Sequence, residues 1–339
     1  MHRWLRIPTS LAGRLSPPVV VVLGSPLEAA GVVSQLGGAD VSCYQMDVYQ
    51  AARLEAELRG AAKVCAAPDL WDLPPIFGTA IYPAPEGGER ALKLDMVEQA
   101  YHVLRPQGLF LVLSPYEADS LFPSALKKVF GRVHVPTAAA GSAFWCRRGE
   151  DRPRRRHEVV FHARLGDGPA LRFVSRPGTF SYGRFDDGAR ALAETMEVRP
   201  GDRVLDLGCG CGTIGTFAGK VAGSEGHVVF VDSNVRAVAL AEYNARTNGL
   251  TAVTALAAPA AESVADESMD VVVTNPPYYA QSSIARLFIR RGQEVLRPSG
   301  RFYLVTRQPA EVASDIKERF GSVATVERRG YTVFCARKS

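Results

Sequence analysis

The stretch Val204 to Gly215, VLDLGCGCGTIG, constrains the fold more than any other part of the chain. Val204, Leu205 and Leu207 end a short apolar strand, and Asp206 puts a charge inside it. Gly208, Gly210 and Gly212 then alternate with small residues before an apolar helical pattern begins at Ile214. A strand that becomes a helix through such glycines lets a ligand lie against bare backbone at a helix N-terminus. The spacing D-x-G-x-G-x-G differs from G-x-G-x-x-G, the pattern of dinucleotide-binding turns. Two further stretches follow in order. HVVFVDSN, His227 to Asn234, reads as a second strand ending in Asp232, with Ser233 as a good N-cap for the helix that follows; further on, Pro309 to Phe320 reads as another helix. Asp232 places a carboxylate about 20 residues past the glycines, where it can accept from both hydroxyls of a ribose. MDVVVTNPPYY, Met269 to Tyr279, reads as a buried strand running into Asn275-Pro276-Pro277-Tyr278.

Strands and helices alternate along the whole chain, the mark of a doubly wound sheet. Apolar β-branched runs such as Val19 to Leu23 alternate with helical spacings such as Leu92 to Leu104. The order then repeats. Val103-Leu104-Arg105-Pro106-Gln107-Gly108 returns 192 residues later as Val295-Leu296-Arg297-Pro298-Ser299-Gly300, with five of six positions identical. Phe130-Gly131 returns as Phe320-Gly321, and Trp145-Cys146 as Phe334-Cys335. One ancestral domain present twice explains this better than chance. With 339 residues, two domains are also the default. The expected division is 1–146, a linker at 147–156, and 157–339. At the same offset Asn275-Pro276-Pro277-Tyr278 falls on Pro83-Ala84-Pro85-Glu86, and the first glycine turn is only Leu23-Gly24-Ser25-Pro26. The first copy therefore keeps the fold and lacks the site, which suits a docking or stabilising role.

The formal charge of +5 permits an anionic partner without demanding one. Six arginines face two acids between Arg147 and Arg156. That segment reads equally as a solvated linker or as a contact to phosphates through residues such as Arg154, Arg155 and Arg156. The six cysteines make no C-x-x-C pair, so a reducing cytoplasmic setting and no metal are expected. No apolar run approaches the ~20 residues of a membrane span.

The glycine turn resembles motif I of the class I S-adenosylmethionine (SAM) methyltransferases, and N-P-P-Y resembles motif IV of the amino-group methyltransferases. From about residue 17 onward the chain resembles the two-domain ribosomal RNA guanine-N2 methyltransferases of the bacterial small-subunit type. In the second half that resemblance also rests on Pro177-Gly178-Thr179-Phe180-Ser181 and Phe185-Asp186-Asp187-Gly188. The family usually has Phe then His where this chain has Tyr278 and Tyr279, which keeps the stacking ring. It often has an acid after the third strand, where this chain reads Leu256-Ala257-Ala258-Pro259.

The resemblance implies two tandem Rossmann-like α/β domains, the first degenerate, with SAM as cofactor. Asp206, Gly208, Cys209, Gly210, Gly212, Asp232, Ser233 and Asn275 would bind it. Asn275, Pro276, Pro277 and Tyr278 would form the catalytic loop. The Asn275 amide oxygen and the Pro276 carbonyl can each accept one N–H of a planar amine, on a loop that the two prolines stiffen. Phe180, Tyr278 and Tyr279 would receive a base. The implied partner is ribosomal RNA or the small subunit, with no membrane, and the internal pseudo-dimer suits a monomer. The loop itself fits adenine N6, guanine N2, cytosine N4 and a glutamine amide alike. A protein glutamine or adenine-N6 methyltransferase, and a non-catalytic SAM-binding RNA-assembly protein, are the alternatives.

Overall fold

The computed structural model describes residues 2–38, 40–277 and 283–339; Tyr278 and Tyr279 lie outside them. The chain divides into two compact units, one ending at His157 and one beginning at Glu158.

The first unit carries strands β1 (Val19–Val22), β2 (Val41–Gln45), β3 (Lys63–Ala66), β4 (Phe77–Pro83), β5 (Leu104–Ser114) and β6 (Ser142–Arg147). Its helices are α1 (Thr9–Ala12), α2 (Pro26–Val33), α3 (Val48–Leu58), α4 (Arg90–Val103) and α5 (Leu121–Phe130). The sheet order is β3-β2-β1-β4-β5-β6, parallel except for the last strand. Successive side chains of a strand point to opposite faces. Val20 and Val22 accordingly pack with Met96, Val97 and Leu126 from α4 and α5. Val19 and Val21 pack with Val32, Leu54 and Leu58 from α2 and α3.

The second unit opens with an antiparallel hairpin, β7 (Val159–Ala163) and β8 (Leu171–Ser175), and a short helix α6 (Asp187–Ala193). Then come β9 (Arg203–Leu207), α7 (Thr213–Ala222), β10 (His227–Asp232), α8 (Val235–Thr247), β11 (Val253–Ala257) and β12 (Met269–Thr274). The chain finishes with α9 (Ser283–Val295), β13 (Leu296–Thr306), α10 (Ala313–Phe320), β14 (Val323–Arg328) and β15 (Tyr331–Arg337). The sheet order is β11-β10-β9-β12-β13-β15-β14. Leu205 and Leu207 face Phe288, Ile289 and Phe320 on one side. Val204 faces Leu192, Ile214 and Ala218 on the other. Asp206 lies on this second face, towards α7.

The two sheets share one plan, and the repeat is visible in an irregularity as well as in strand order. In both copies the V-L-R-P-x-G segment runs into the strand through a register shift, between Phe77 and Thr79 and between Met269 and Val271. Gln107 (φ 61°) and Ser299 (φ 65°) sit at matching points in left-handed conformations. The segment opens β5 and β13. At the far edge the copies differ. The second sheet closes with β14, whereas the first keeps one bridge, His134 to Trp145, in its place.

Strand register also shows what became of the first site. Val21 pairs with Ile81 and Cys43, as Asp206 pairs with Val273 and Phe230. Val21 therefore stands where Asp206 does, Gln45 where Asp232 does, and Pro83 where Asn275 does. Each polar group of the second site has lost its charge or its amide. The Pro83 ring also crowds the first turn: a Cβ on Gly24 would lie 2.9 Å from its Cγ.

The arginine segment packs on the first unit. Arg148 donates to the Leu104 carbonyl and to Asp151. Arg152 donates to Glu98 at 3.0 Å and to the Val129 carbonyl at 2.9 Å. Arg154 lies over the Trp71 ring at 5.5 Å, while Arg155 and Arg156 are exposed. Two local expectations need correction. The helix after β10 is capped by Asn234, not Ser233. The helix expected from Pro309 is a 3-10 turn, Pro309–Glu311, followed by α10, because Val312 leaves helical geometry at φ −122°.

Candidate active site

The C-terminal ends of β9, β10 and β12 form one edge of the second sheet. There β9 is the switch point: connections run to β10 on one side and to β12 on the other. Ligands of open α/β sheets bind in the crevice at such a point. The turn after β9 is built for close approach. Gly212 begins α7 at φ 81°, and a Cβ there would meet Ala241 at 2.8 Å. Gly208 and Cys209 donate their N–H groups to the Val231 carbonyl at 2.8 and 3.0 Å, which ties the turn to β10.

Asp206 is fully buried. Its Oδ2 accepts from the Gly215 N–H at 2.8 Å, in the first turn of α7. Gly215 has to be glycine for this, since a Cβ would lie 2.5 Å from the Phe230 ring and 2.9 Å from that oxygen. Oδ1 has no partner among the described residues. Burial pushes the Asp206 pKa up to about 7; the Gly215 hydrogen bond opposes this, and nearby Asp232 adds to it. An orphaned buried oxygen normally signals a missing partner. Here the partner needed is cationic or a donor.

Asp232 ends β10 and holds two loops. Its Oδ2 accepts from Gly210 N–H and its Oδ1 from Asn234 N–H, both at 2.9 Å. Each carboxylate oxygen has two lone-pair directions, which suits this side chain to accept from ribose hydroxyls. Ser233 follows it, half-buried. Cys209 and Cys211 are buried, and burial pushes both thiols up, Cys211 to about 12. They are small neutral fillers of the turn, not nucleophiles.

Asn275 follows β12 and is buried. The Thr274 hydroxyl donates to the Leu207 carbonyl at 2.8 Å, locking the end of β12 to the end of β9. Asn275 Nδ2 donates to Asp186 Oδ1 at 3.1 Å. A carboxylate can only accept, so the amide nitrogen must face it and the amide oxygen must face the other way. The same Asp186 oxygen accepts from Ala189 N–H at 2.9 Å and caps α6. Pro276 is buried and Pro277 half-buried.

The Pro177-Gly178-Thr179-Phe180-Ser181 loop is brought to the glycine turn by α8. Arg236, fully buried, donates to the Pro177 carbonyl at 2.5 Å. Asn234 Nδ2 donates to the Gly178 carbonyl at 2.7 Å while its Oδ1 caps α8. Thr179 closes the turn onto the Arg176 carbonyl at 2.6 Å. A Cβ on Gly210 would lie 3.8 Å from that of Phe180. Phe180 therefore sits above the turn, and it is 41% exposed. Asn244 braces the other side, donating to the Val174 and Cys211 carbonyls at 2.8 and 2.9 Å.

The structure thus gathers Phe180, Asp206, Gly208, Cys209, Gly210, Gly212, Asp232, Ser233, Asn275 and Pro276 at or beside one crevice. Arg154, Arg155 and Arg156 belong to the other unit. Sequence reading missed Asp186, Asn234 and Arg236. For Arg236 a signal existed: with Leu240 and Asn244 it falls on the inward stripe of α8, where a charge needs a buried partner.

Comparison with known proteins bears on this crevice. Residues 170–335 match the methyltransferase small domain family. A curated ribosomal RNA small subunit methyltransferase C from Stutzerimonas stutzeri is 29% identical over 330 residues, 93% of this chain and 94% of its own length. The corresponding protein from Chromohalobacter salexigens is 34% identical over half of this chain and 52% of its own. The second unit carries a methyltransferase domain. The fold of the chain matches a T. thermophilus 16S rRNA N2 methyltransferase solved with AdoMet and guanosine, at TM-score 0.77 and 22% identity. That match covers 97% of this chain and 91% of the solved chain. The site fits the class cofactor: buried Asp206 Oδ1 suits a cationic group, the glycine turn suits a carboxylate at a helix start, and Asp232 suits a ribose. Among the described residues no helix is long and apolar enough to cross a membrane.

Proposed function

We propose that this methyltransferase transfers a methyl group from SAM to the exocyclic N2 of a guanine in small-subunit ribosomal RNA. The observation that carries the reading is the Asn275 amide, anchored by Asp186 so that its oxygen faces away from the carboxylate, beside the glycine turn and Asp232. The relatives along the chain, named for ribosomal RNA methylation, support the substrate class. SAM supplies a methyl group on a cationic sulfur. Asn275 Oδ1 and the Pro276 carbonyl accept the two amine hydrogens and turn the nitrogen lone pair towards that methyl. SAM, held by the glycine turn, Asp206 and Asp232, would supply that methyl, its sulfur keeping the electron pair of the broken bond. The nitrogen then sheds one proton to water, so no general base is required. Phe180 offers a face for the base, and such stacking contributes ~1–3 kcal/mol per base. Exposed Arg155 and Arg156, with Arg154, supply cations for RNA phosphates. We read the protein as a cytoplasmic monomer, since each chain already holds two copies of the domain.

The test is labelled-methyl transfer onto small-subunit RNA from cells lacking the protein, followed by nucleoside mass analysis. The expected product is N2-methylguanosine; label on adenine or on protein overturns the proposal. Asn275→Ala should keep SAM binding and lose methylation by at least about a hundredfold, as for other groups that orient reactants.

A further inference from the structure

We infer that Asp186 is the residue that selects guanine among planar amines. The inference rests on the reading of the site as a base N-methyltransferase. The Asn275 amide oxygen and the Pro276 carbonyl satisfy an –NH2 group and nothing else. They cannot distinguish guanine N2 from adenine N6, cytosine N4 or a glutamine amide. What differs is the neighbouring atom. On one side of its N2 guanine carries N1–H, a donor, and on the other N3. Beside the amine, adenine carries N1, cytosine N3 and glutamine a carbonyl oxygen, all acceptors.

Asp186 is the charged group next to Asn275, with Oδ1 at 3.1 Å from its Nδ2. Oδ1 is already shared between that amide and the Ala189 N–H. Oδ2 has no hydrogen bond among the described residues, and the side chain is only partly buried. A carboxylate is acceptor-only. It welcomes a donor at the position beside the amine and repels an acceptor lone pair there. Asp186 therefore has two tasks in one side chain: Oδ1 sets the Asn275 amide the right way round, and Oδ2 takes the guanine N1–H. A base with an acceptor at that position would leave it facing a carboxylate with no hydrogen between them.

The experiment compares RNAs with guanine or 2-aminopurine at the target position. Both have the N2 amine, but 2-aminopurine has an N1 acceptor in place of N1–H. The wild-type protein should prefer guanine by about tenfold to a hundredfold in kcat/KM, the usual worth of a well-placed base contact. Asp186→Asn keeps the helix cap and the volume and can donate to an N1 acceptor. It should lose at least about tenfold on guanine and bring the ratio close to one or below it, with SAM affinity unchanged. An unchanged ratio in Asp186→Asn, with guanine still the wild-type target, overturns the role of Asp186 alone. Wild-type methylation of adenine or protein overturns the functional reading itself. Asp186→Glu is the check on folding: it keeps the acceptor, so a residual guanine preference in it, against none in Asp186→Asn, supports the assignment. Equal ratios in the two variants overturn it.

Discussion

At the scale of single residues, Asp206 is a fully buried carboxyl with one oxygen lacking a partner among the described residues. Its neutral form is favoured by burial, with a pKa pushed to about 7 against an ordinary 3.8. A raised acid favours the fold at low pH and loses that contribution as pH rises through the folded value. Its contribution is therefore full below about pH 4 and gone above about pH 7, on the order of 4 kcal/mol for such a shift. Asp206→Asn should flatten the stability profile over that window, as read by urea unfolding at several pH values. Binding of cationic SAM needs the ionised form. At pH 6.5 it should therefore release a proton, measurable as a buffer-dependent binding enthalpy, and the release should vanish in Asp206→Asn. Gly215→Ala is the steric counterpart. It drives a methyl into Phe230 and the Asp206 carboxylate, and overpacking of this kind costs ~1–3 kcal/mol. Unfolding midpoints and SAM affinity should both fall.

At the scale of elements, the site is held together by contacts between segments far apart in the chain. Asn234 caps α8 with its oxygen and holds the Phe180 loop with its nitrogen. Asn234→Ala should lose about 1 kcal/mol of cap stability. It should also raise KM for RNA more than Kd for SAM, because Phe180 is the part that comes loose. Equal changes in both constants would argue against this division. The strands, the glycine turn, Asp232 and the N-P-P loop were all legible in the sequence, because each is a local pattern of period, glycine spacing or proline. The Asp186–Asn275 bond was not, although both residues sat in noted motifs, since 89 residues separate them and no periodicity links them. Asn234 was passed over for Ser233 because both are good caps by type, and only the chain's path after Asp232 decides between them. The opening of β5 and β13 carries arginine, proline and glycine, and no strand period marks it. In the folded chain they make a bulge inside a strand.

At the scale of the whole molecule, two copies of one plan have taken different courses. In the first, the places of Asp206, Asp232 and Asn275 are held by Val21, Gln45 and Pro83. One SAM molecule should therefore bind per chain, and Asp206→Ala should abolish it. Equilibrium dialysis that found a second molecule, surviving that substitution, would contradict the loss of the first site. Both copies nonetheless keep the bulge at Gln107 and Ser299, so the bulge serves the architecture and not the chemistry. The second unit also begins well upstream of its sheet: the hairpin, the Phe180 loop and Asp186 all precede β9. A shortened protein starting at Arg203 would keep every strand of that sheet, yet it would be an idle donor carrier, since the parts that grip and choose the acceptor would have been cut away.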